Sequence, residues 1–368
     1  MLFNDIKIIL LIAGGRAGTD FFQSLLDNHP EISQLPGIFF YDEFWLKLKE
    51  KNEKRPENIA KVFIDDHKNF FDSRNNIRER HDKLGKDKNS FFLVNKELFI
   101  KYFVDLMKNR NLNQKNLLYC LNLAYSLASG ENLLKKKIIV LHLHHINRIK
   151  VLDELDFEII YSIRDPLANY TASVGEWLEY EGGKHLSPWS YCFHMDRILN
   201  GLKDIIKYSK KSYVFQLEKL HTENEKVMKD FCRLFKISYN QSLTQSTYHG
   251  MSWWGDALSE KYLDGVNPNF KNNIKENLFF KKDMDCLETY LEVFISKYNY
   301  PVRSKGLKNP FLKYLPFKVE LIIWKNTIAS FNIRLILTIL LYWFKRINLM
   351  NKKNYENVHL PYSIGTKL

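Results

Sequence analysis

The sequence predicts an α/β protein with a mainly parallel sheet flanked by helices, and three observations predict it. The chain opens on an apolar run, Ile8 to Ala13, that leads into the glycine-rich turn GGRAG and then an amphipathic stretch. Two further apolar runs, KIIVLHLHH and FEIIYSI, are separated by the amphipathic INRIKVLDELD. Strands that alternate with helices pair in parallel, because the helix carries the chain back across the sheet. With 368 residues, 45% of them apolar and 14% aromatic, the chain can bury one large core and carry an appendage.

Each element follows from local pattern. The opening run is short and passes directly into a turn and helix, so it reads as a buried first strand rather than a secretory signal. The helix expected over Thr19 to Asn28 places Phe21, Phe22, Leu25 and Leu26 on one face, and Asn28-His29-Pro30 ends it. Residues from about 41 to 135 alternate helical spacing with polar turns such as RPEN and KLGKDKNS, which predicts a largely helical insertion. Strands follow at 137–145 and 157–163, then a helix opened by Asp165 as cap and Pro166 at its first position. Further helices and one strand, SYVFQLE, complete a domain over 1–305.

Residues 306–368 form a C-terminal tail of different character. Between Gly306 and Met350 there are seven Lys or Arg and one acid, Glu320, around the apolar runs VELIIW and LILTILLYWF. Arg334 interrupts the apolar character, so no uncharged run reaches the roughly 18–20 residues of a spanning helix. The pattern suits a basic segment lying on an anionic membrane surface, with a helix pair packed on the domain as the alternative.

The formal charge of +13 calls for an anionic partner. The basic residues are dispersed and no recognition motif accompanies them, so nucleic acid is not expected. The four cysteines, Cys120, Cys192, Cys232 and Cys286, show no CxxC spacing. This suits a reducing, cytoplasmic setting without structural zinc. No metal is expected.

Two stretches carry chemistry. In the first, a strand, a glycine turn and a helix N-terminus together present free backbone N–H groups and the positive end of a helix dipole, which hold an anion. Gly14, Gly15 and Gly18 allow close backbone approach, Arg16 offers a forked donor, Ala17 is small, and Thr19 adds a hydroxyl. The nucleotide-triphosphatase loop ends in Gly-Lys-Ser/Thr, whereas this one reads Gly18-Thr19-Asp20, so ATP or GTP hydrolysis loses its main support. Asp20 is the awkward residue, a carboxylate beside a bound phosphate. In the second stretch, IIYSIRDPLANYTAS, Arg164 stands at the carboxyl end of a strand, where open α/β sheets bind ligands. Ser173 lies about two turns into the next helix, on the face of Asn169 and Trp177, while Thr171 points elsewhere.

Together these stretches resemble the sulfotransferases that use 3′-phosphoadenosine 5′-phosphosulfate, in particular bacterial carbohydrate-type members. GGRAGTDFFQSLLDNHPEI is similar to that family's 5′-phosphosulfate loop, and IRDPLANYTAS to its 3′-phosphate site. The resemblance spans residues 6 to about 300 and implies a P-loop-like fold and a nucleotide sulfate donor as co-substrate. It also implies that Gly14, Gly15, Arg16, Ala17, Gly18, Thr19 and Asp20 hold the 5′ side, with Arg164 and Ser173 on the 3′-phosphate. The family's serine commonly falls eight residues after the arginine. That position is Ala172 here, with Ser173 and Thr171 on either side.

Sulfuryl transfer needs a base for the acceptor hydroxyl and cations for the leaving oxygens, the second being the role of Arg16. His142 and His144 share one face of their strand near its carboxyl end, with His145 on the other face. His142 falls on the position of the family's histidine base. Carbohydrate-type members more often use a glutamate soon after the first helix, and Glu43 is the best of Glu31, Asp42 and Glu43. Tyr248, His249, Trp253 and Trp254 in YHGMSWWGD could stack on adenine or a sugar, or anchor a loop. The following SEKYLDGVNPNFK could supply a lysine to the 3′-phosphate.

The expected activity is therefore transfer of sulfate to a hydroxyl of a carbohydrate or glycolipid on the inner face of a membrane. A P-loop nucleotide kinase and a noncatalytic nucleotide-binding, membrane-associated protein are the alternatives.

Overall fold

A computed structural model describes residues 6–179, 186–208, 211–258, 262–328, 333–351 and 358–366. The elements begin with β1 (Lys7–Ile12), α1 (Thr19–Leu26) and β2 (Ile32–Gln34). Five helices follow: α2 (Tyr41–Glu50), α3 (Pro56–Asp66), α4 (Lys68–Phe71), α5 (Lys96–Met107) and α6 (Gln114–Ala128). The chain then returns through β3 (Ile138–His144), β4 (Phe157–Ile163), α7 (Pro166–Tyr170), α8 (Glu176–Glu179), α9 (Pro188–Ile206) and β5 (Ser212–Gln216). Beyond these come α10 (Leu217–Thr222), α11 (Asn224–Phe235), β6 (Thr247–Tyr248), β7 (Met251–Ser252), α12 (Lys281–Tyr290) and α13 (Glu292–Lys297). The last elements are α14 (Lys318–Ile328), α15 (Ile333–Asn351) and β8 (Tyr362–Ser363).

Six strands form one parallel sheet in the order β2-β3-β1-β4-β5-β8, and β6 and β7 make a separate antiparallel hairpin. The expected α/β class with a mainly parallel sheet is the observed one. β1 reads KIILLI, apolar on both faces, because both faces are covered. Ile8, Leu10 and Ile12 join the larger core with the helices of 41–128, while Ile9 and Leu11 join a smaller one with Phe22, Phe215 and Phe231. Replacing Leu10 by Ala at the centre would cost about 2–5 kcal/mol.

The sheet order places β1 between β3 and β4. Its carboxyl end is thus the point where crossovers diverge to either side, which in open α/β sheets opens a crevice for ligands. The glycine turn and the ends of β3 and β4 meet there. The β1 to β3 register slips at this same end: Leu11 pairs with His142 but Ile12 pairs with His144, so Leu143 is an extra residue. A bulge of this kind re-aims the side chains beside it.

The segment after residue 306 adds to the same body. β8 pairs with β5 through Tyr213 opposite Tyr362 and Val214 opposite Ser363, and Ile364 is buried beside them. On α15, Arg346 is fully buried: its Nε donates to Glu320 Oε1 of α14 at 2.6 Å, and its Nη groups donate to the carbonyls of Lys313 and Leu315. No helix among the described residues is long and apolar enough to cross a membrane. The side chain of Arg334 lies outside the described residues.

Candidate functional site

The glycine turn adopts the backbone its composition permits. Gly15 has φ +70°, Arg16 +40° and Gly18 +78°, left-handed values that favour glycine at two of the three positions. A Cβ on Gly14 would sit 2.0 Å from the Ser162 carbonyl oxygen, and one on Gly18 would sit 2.3 Å from Leu217 Cδ1. The turn is pinned to β4: the Gly14 N–H donates to Ser162 Oγ at 2.9 Å, and Thr19 Oγ1 meets the same hydroxyl at 2.9 Å. Thr19 therefore serves the turn's own geometry.

Three arginines converge on this turn. Arg164, at the end of β4, donates from Nη1 to the Arg16 carbonyl and from Nε to Asn272 Oδ1. Arg197, from α9, donates to the Ala13 carbonyl at 2.7 Å, and its guanidinium lies beside Gly15. Burial lowers the proton affinity of both, which marks two cations held out of water. Asn169 of α7 donates to the Gly14 carbonyl at 3.0 Å and accepts from Ser173 Oγ at 2.9 Å, and Ser173 in turn faces Gly15. Below the turn, Gly14, Ser162, Arg164, Asn169 and Arg197 line a cavity of about 20 Å³. That is room for about one water.

The choice between Ser173 and Thr171 has a geometric basis. Residues Thr171–Gly175 form a π-helical turn, which takes one residue more than an α-helical turn. Ser173, nine residues after Arg164, stands on the side of the glycine turn, with its Oγ bonded to Asn169. Thr171 Oγ1 instead donates to the carbonyls of Ala168 and Asn273.

Arg16 itself is held by carboxylates. Its Nη1 lies 2.5 Å from Asp256 and its Nη2 lies 2.7 Å from Glu176. Burial opposes its charge, but Asp256 and Glu176 outweigh that and push its proton affinity up. Asp20 and Glu79 complete the acidic group. Burial, with Asp256 nearby, raises Asp20 to about 6. Burial, with Asp20 and Asp256 nearby, raises Glu79 to about 8. Like charges at close range keep at least one carboxyl protonated. At neutral pH that proton belongs to Glu79, and Asp20 is mainly ionised.

The histidines lie alongside. The His144 backbone is left-handed, φ +66°, at the bulge that closes β3. This breaks the strand alternation, and the His145 ring, expected on the opposite face, lies 4.7 Å from that of His144. His142 is fully buried, with Nδ1 2.8 Å from Gln23 Oε1, Nε2 3.3 Å from His144 Nδ1, and Asp20 Oδ1 3.8 Å from Nδ1. Burial drives His142 and His145 down to about 3 and His144 well below its ordinary value, so all three are neutral at physiological pH.

Other candidates lie apart from this group. Glu43 is exposed and pairs with Arg148 at 2.7 Å, next to Asp42 on the same arginine. Glu31 is tied to Lys137 and the Ser238 N–H. The indole N–H groups of Trp253 and Trp254 donate to the carbonyls of Glu79 and Gly85, and His249 bonds the Tyr125 hydroxyl at 2.8 Å. These aromatics thus anchor the β6–β7 hairpin to the helical insertion, and Asp256 follows directly from that anchor. Lys271 is exposed, and Lys261 lies outside the described residues.

Arg197, Gln23, Glu79, Glu176 and Asp256 escape a reading of the sequence. Gln23 alone left a signal, a polar residue beside Phe22 and Leu25 in a short apolar helix, where burial demands a partner. Among the described residues, no group of three or more His, Cys, Asp or Glu is arranged to hold a metal ion.

No family model matches the sequence, and no curated protein matches it. Solved structures are similar to it, and three of them are as follows. The sulfotransferase domain of the curacin biosynthetic pathway is 16% identical, with 81% of this chain and 99% of that one covered and a TM-score of 0.42. The sulfotransferase domain of a Synechococcus olefin synthase is 13% identical, over 72% and 84%, with a TM-score of 0.39. A sulfotransferase from Mycobacterium avium is 11% identical, over 82% and 78%, with a TM-score of 0.36. The parallel six-stranded sheet with its flanking helices is an α/β fold, and these three solved structures are sulfotransferases.

Proposed function

We propose that the protein is a cytoplasmic sulfotransferase that moves a sulfuryl group from 3′-phosphoadenosine 5′-phosphosulfate to a hydroxyl of a carbohydrate or glycolipid. The observation that carries this reading is the convergence of Arg16, Arg164 and Arg197 on one glycine turn at the divergence point of the sheet. Such a cradle suits a ligand with two anionic groups. The carbohydrate acceptor rests on the sequence resemblance, and the cytoplasmic setting on four free, buried cysteines.

The donor supplies an activated sulfuryl group and a phosphate that leaves. The turn's N–H groups and Arg16 would hold the leaving phosphate, once Asp256 and Glu176 release the guanidinium. Arg164 and Ser173 would hold the 3′-phosphate, and Arg197 would balance charge behind Gly15. As the acceptor oxygen bonds to sulfur and the bond from sulfur to the phosphate oxygen breaks, the hydroxyl proton passes to a base.

A chain of hydrogen bonds supports His144 as that base. Gln23 Nε2 donates to the carbonyls of Leu35 and Gly37, so its Oε1 must face His142. His142 Nδ1 then carries a proton, and its bare Nε2 accepts from His144 Nδ1–H. This leaves the lone pair of His144 on Nε2, away from the chain. Gln23 and His142 are positioning residues in this scheme.

The test is transfer of radiolabelled sulfate from the donor to a panel of lipid-linked glycans, with calorimetry of 3′-phosphoadenosine 5′-phosphate. Arg164→Ala should weaken nucleotide binding at least tenfold. Unchanged affinity in both Arg164→Ala and Arg16→Ala would remove the nucleotide site.

A further inference from the structure

The C-terminal helices pack on the domain with one face and leave an apolar face outside. On α15, Thr338, Ile339, Tyr342, Arg346, Ile347 and Met350 are buried, facing α9 and α14. The opposite stripe carries Leu337 at 56% exposed, Leu340 at 42%, Leu341 at 64% and Phe344 at 59%. Their spacing of three and four residues puts them on one side of the helix. On the adjoining elements Leu321 is 41% exposed and Phe311 73%. A soluble monomer rarely exposes a contiguous apolar surface of this kind, and one rimmed by polar groups marks an interaction site.

The charge around this face identifies the partner. Between Pro301 and Met350 the sequence has a single acidic residue, Glu320. That carboxylate is buried and engaged by Arg346 Nε at 2.6 Å. The one acidic charge of the segment is therefore withdrawn from the surface, while its Lys308, Lys325 and Lys345 are exposed. An apolar stripe on a segment whose exposed charges, among the described residues, are all cations is complementary to acidic headgroups over acyl chains. A second copy of the chain would meet the same positive charge, and like charges oppose that pairing.

We propose that α15, with α14 and the turn before it, is a docking face for an anionic lipid surface, on which the protein lies peripherally. The helix does not insert as a free amphipathic segment. It is a rigid, two-sided element, one side in the core and the other on lipid. This proposal does not depend on the chemistry at the glycine turn.

Co-sedimentation of the full-length protein with vesicles tests it. The protein should pellet with phosphatidylcholine vesicles containing about a third phosphatidylglycerol and stay in solution with pure phosphatidylcholine; binding should fall as salt rises. Leu341→Glu with Phe344→Glu should reduce binding at least tenfold with the melting temperature unchanged, since both side chains are exposed. Lys325→Glu with Lys345→Glu should reduce binding to anionic vesicles alone. Absence of binding to anionic vesicles, or binding that ignores both pairs of substitutions, overturns the proposal. So does a dimer in sedimentation velocity that the Leu341→Glu, Phe344→Glu protein fails to form, because the face would then belong to a second copy.

Discussion

At the scale of residues, two networks decide how the site behaves. One is the line from Gln23 through His142 to His144, in which a buried amide fixes two tautomers. Substituting Gln23→Met removes that constraint with little change of volume. We expect turnover to fall about 10- to 100-fold with donor affinity kept, against about 10²- to 10⁴-fold for His144→Gln. Nitrogen-15 spectra of the ring nitrogens should show both histidines protonated on Nδ1 in the native protein and redistributed in Gln23→Met. Unaltered spectra would remove the positioning role. The other network is Arg16 with Asp256, Glu176, Asp20 and Glu79. Asp256→Asn leaves Glu176 as the carboxylate holding Arg16 and lowers the negative charge, so 3′-phosphoadenosine 5′-phosphate should bind several-fold more tightly. Glu79 titrates at about 8, so raising the pH through 7 to 9 adds a negative charge beside the anion site and should weaken that binding. Calorimetry across this range should show the loss, and Glu79→Gln should flatten it.

At the scale of elements, the buried pair of Arg346 with Glu320 joins α15 to α14. Removing one partner leaves a buried charge without its counter-ion, whereas replacing both with apolar residues leaves none. Arg346→Ala should therefore cost about 3–5 kcal/mol in denaturant unfolding. The double change Arg346→Met with Glu320→Leu should cost much less. Equal losses in the two proteins would show that lost packing, not charge, dominates. The π turn on the helix after β4 and the bulge at the end of β3 are the other two decisive elements. Each adds one residue to a regular structure: Ser173 of the π turn faces Gly15, and His144 at the bulge bonds His142.

At the scale of the whole molecule, the histidines set the response to acid. Burial lowers His81, His142, His144, His145, His194 and His249, four of them to about 3 and His249 to about 4. Below pH 6.5 the unfolded chain binds protons at these sites and the folded chain does not. Stability is therefore lost as pH falls, by up to about 1.4 kcal/mol per unit for each group. Asp20 and Glu79 act in the opposite sense, because their folded forms already hold a proton between the unfolded carboxylate range and about 6 or 8. Burial also raises Asp27, Glu176 and Glu320 and also lowers His29, His67 and His221, so nine lowered histidines stand against five raised carboxyls. The melting temperature should drop steeply between about pH 6.5 and 4.5, and a flat profile there would mean that the histidines are open to water.

By itself the sequence determined the class of the sheet, the first helix, the glycine turn and the arginine at the end of β4, because each is written in short-range pattern: apolar runs, glycines and a proline cap. It also marked the segment after residue 306 as basic and apolar, by composition alone. The tertiary structure decided what surrounds the turn. Asp256 reaches Arg16 across 240 residues of chain, and Arg197 reaches Ala13 across 184. Neither has a local signature, because contacts between distant segments depend on packing rather than on spacing. The tertiary structure also put β8 at the sheet edge and buried Glu320 under Arg346. The net charge was readable from the sequence. Which charges face water, and therefore what the C-terminal face can meet, is fixed only when one carboxylate is taken into the core.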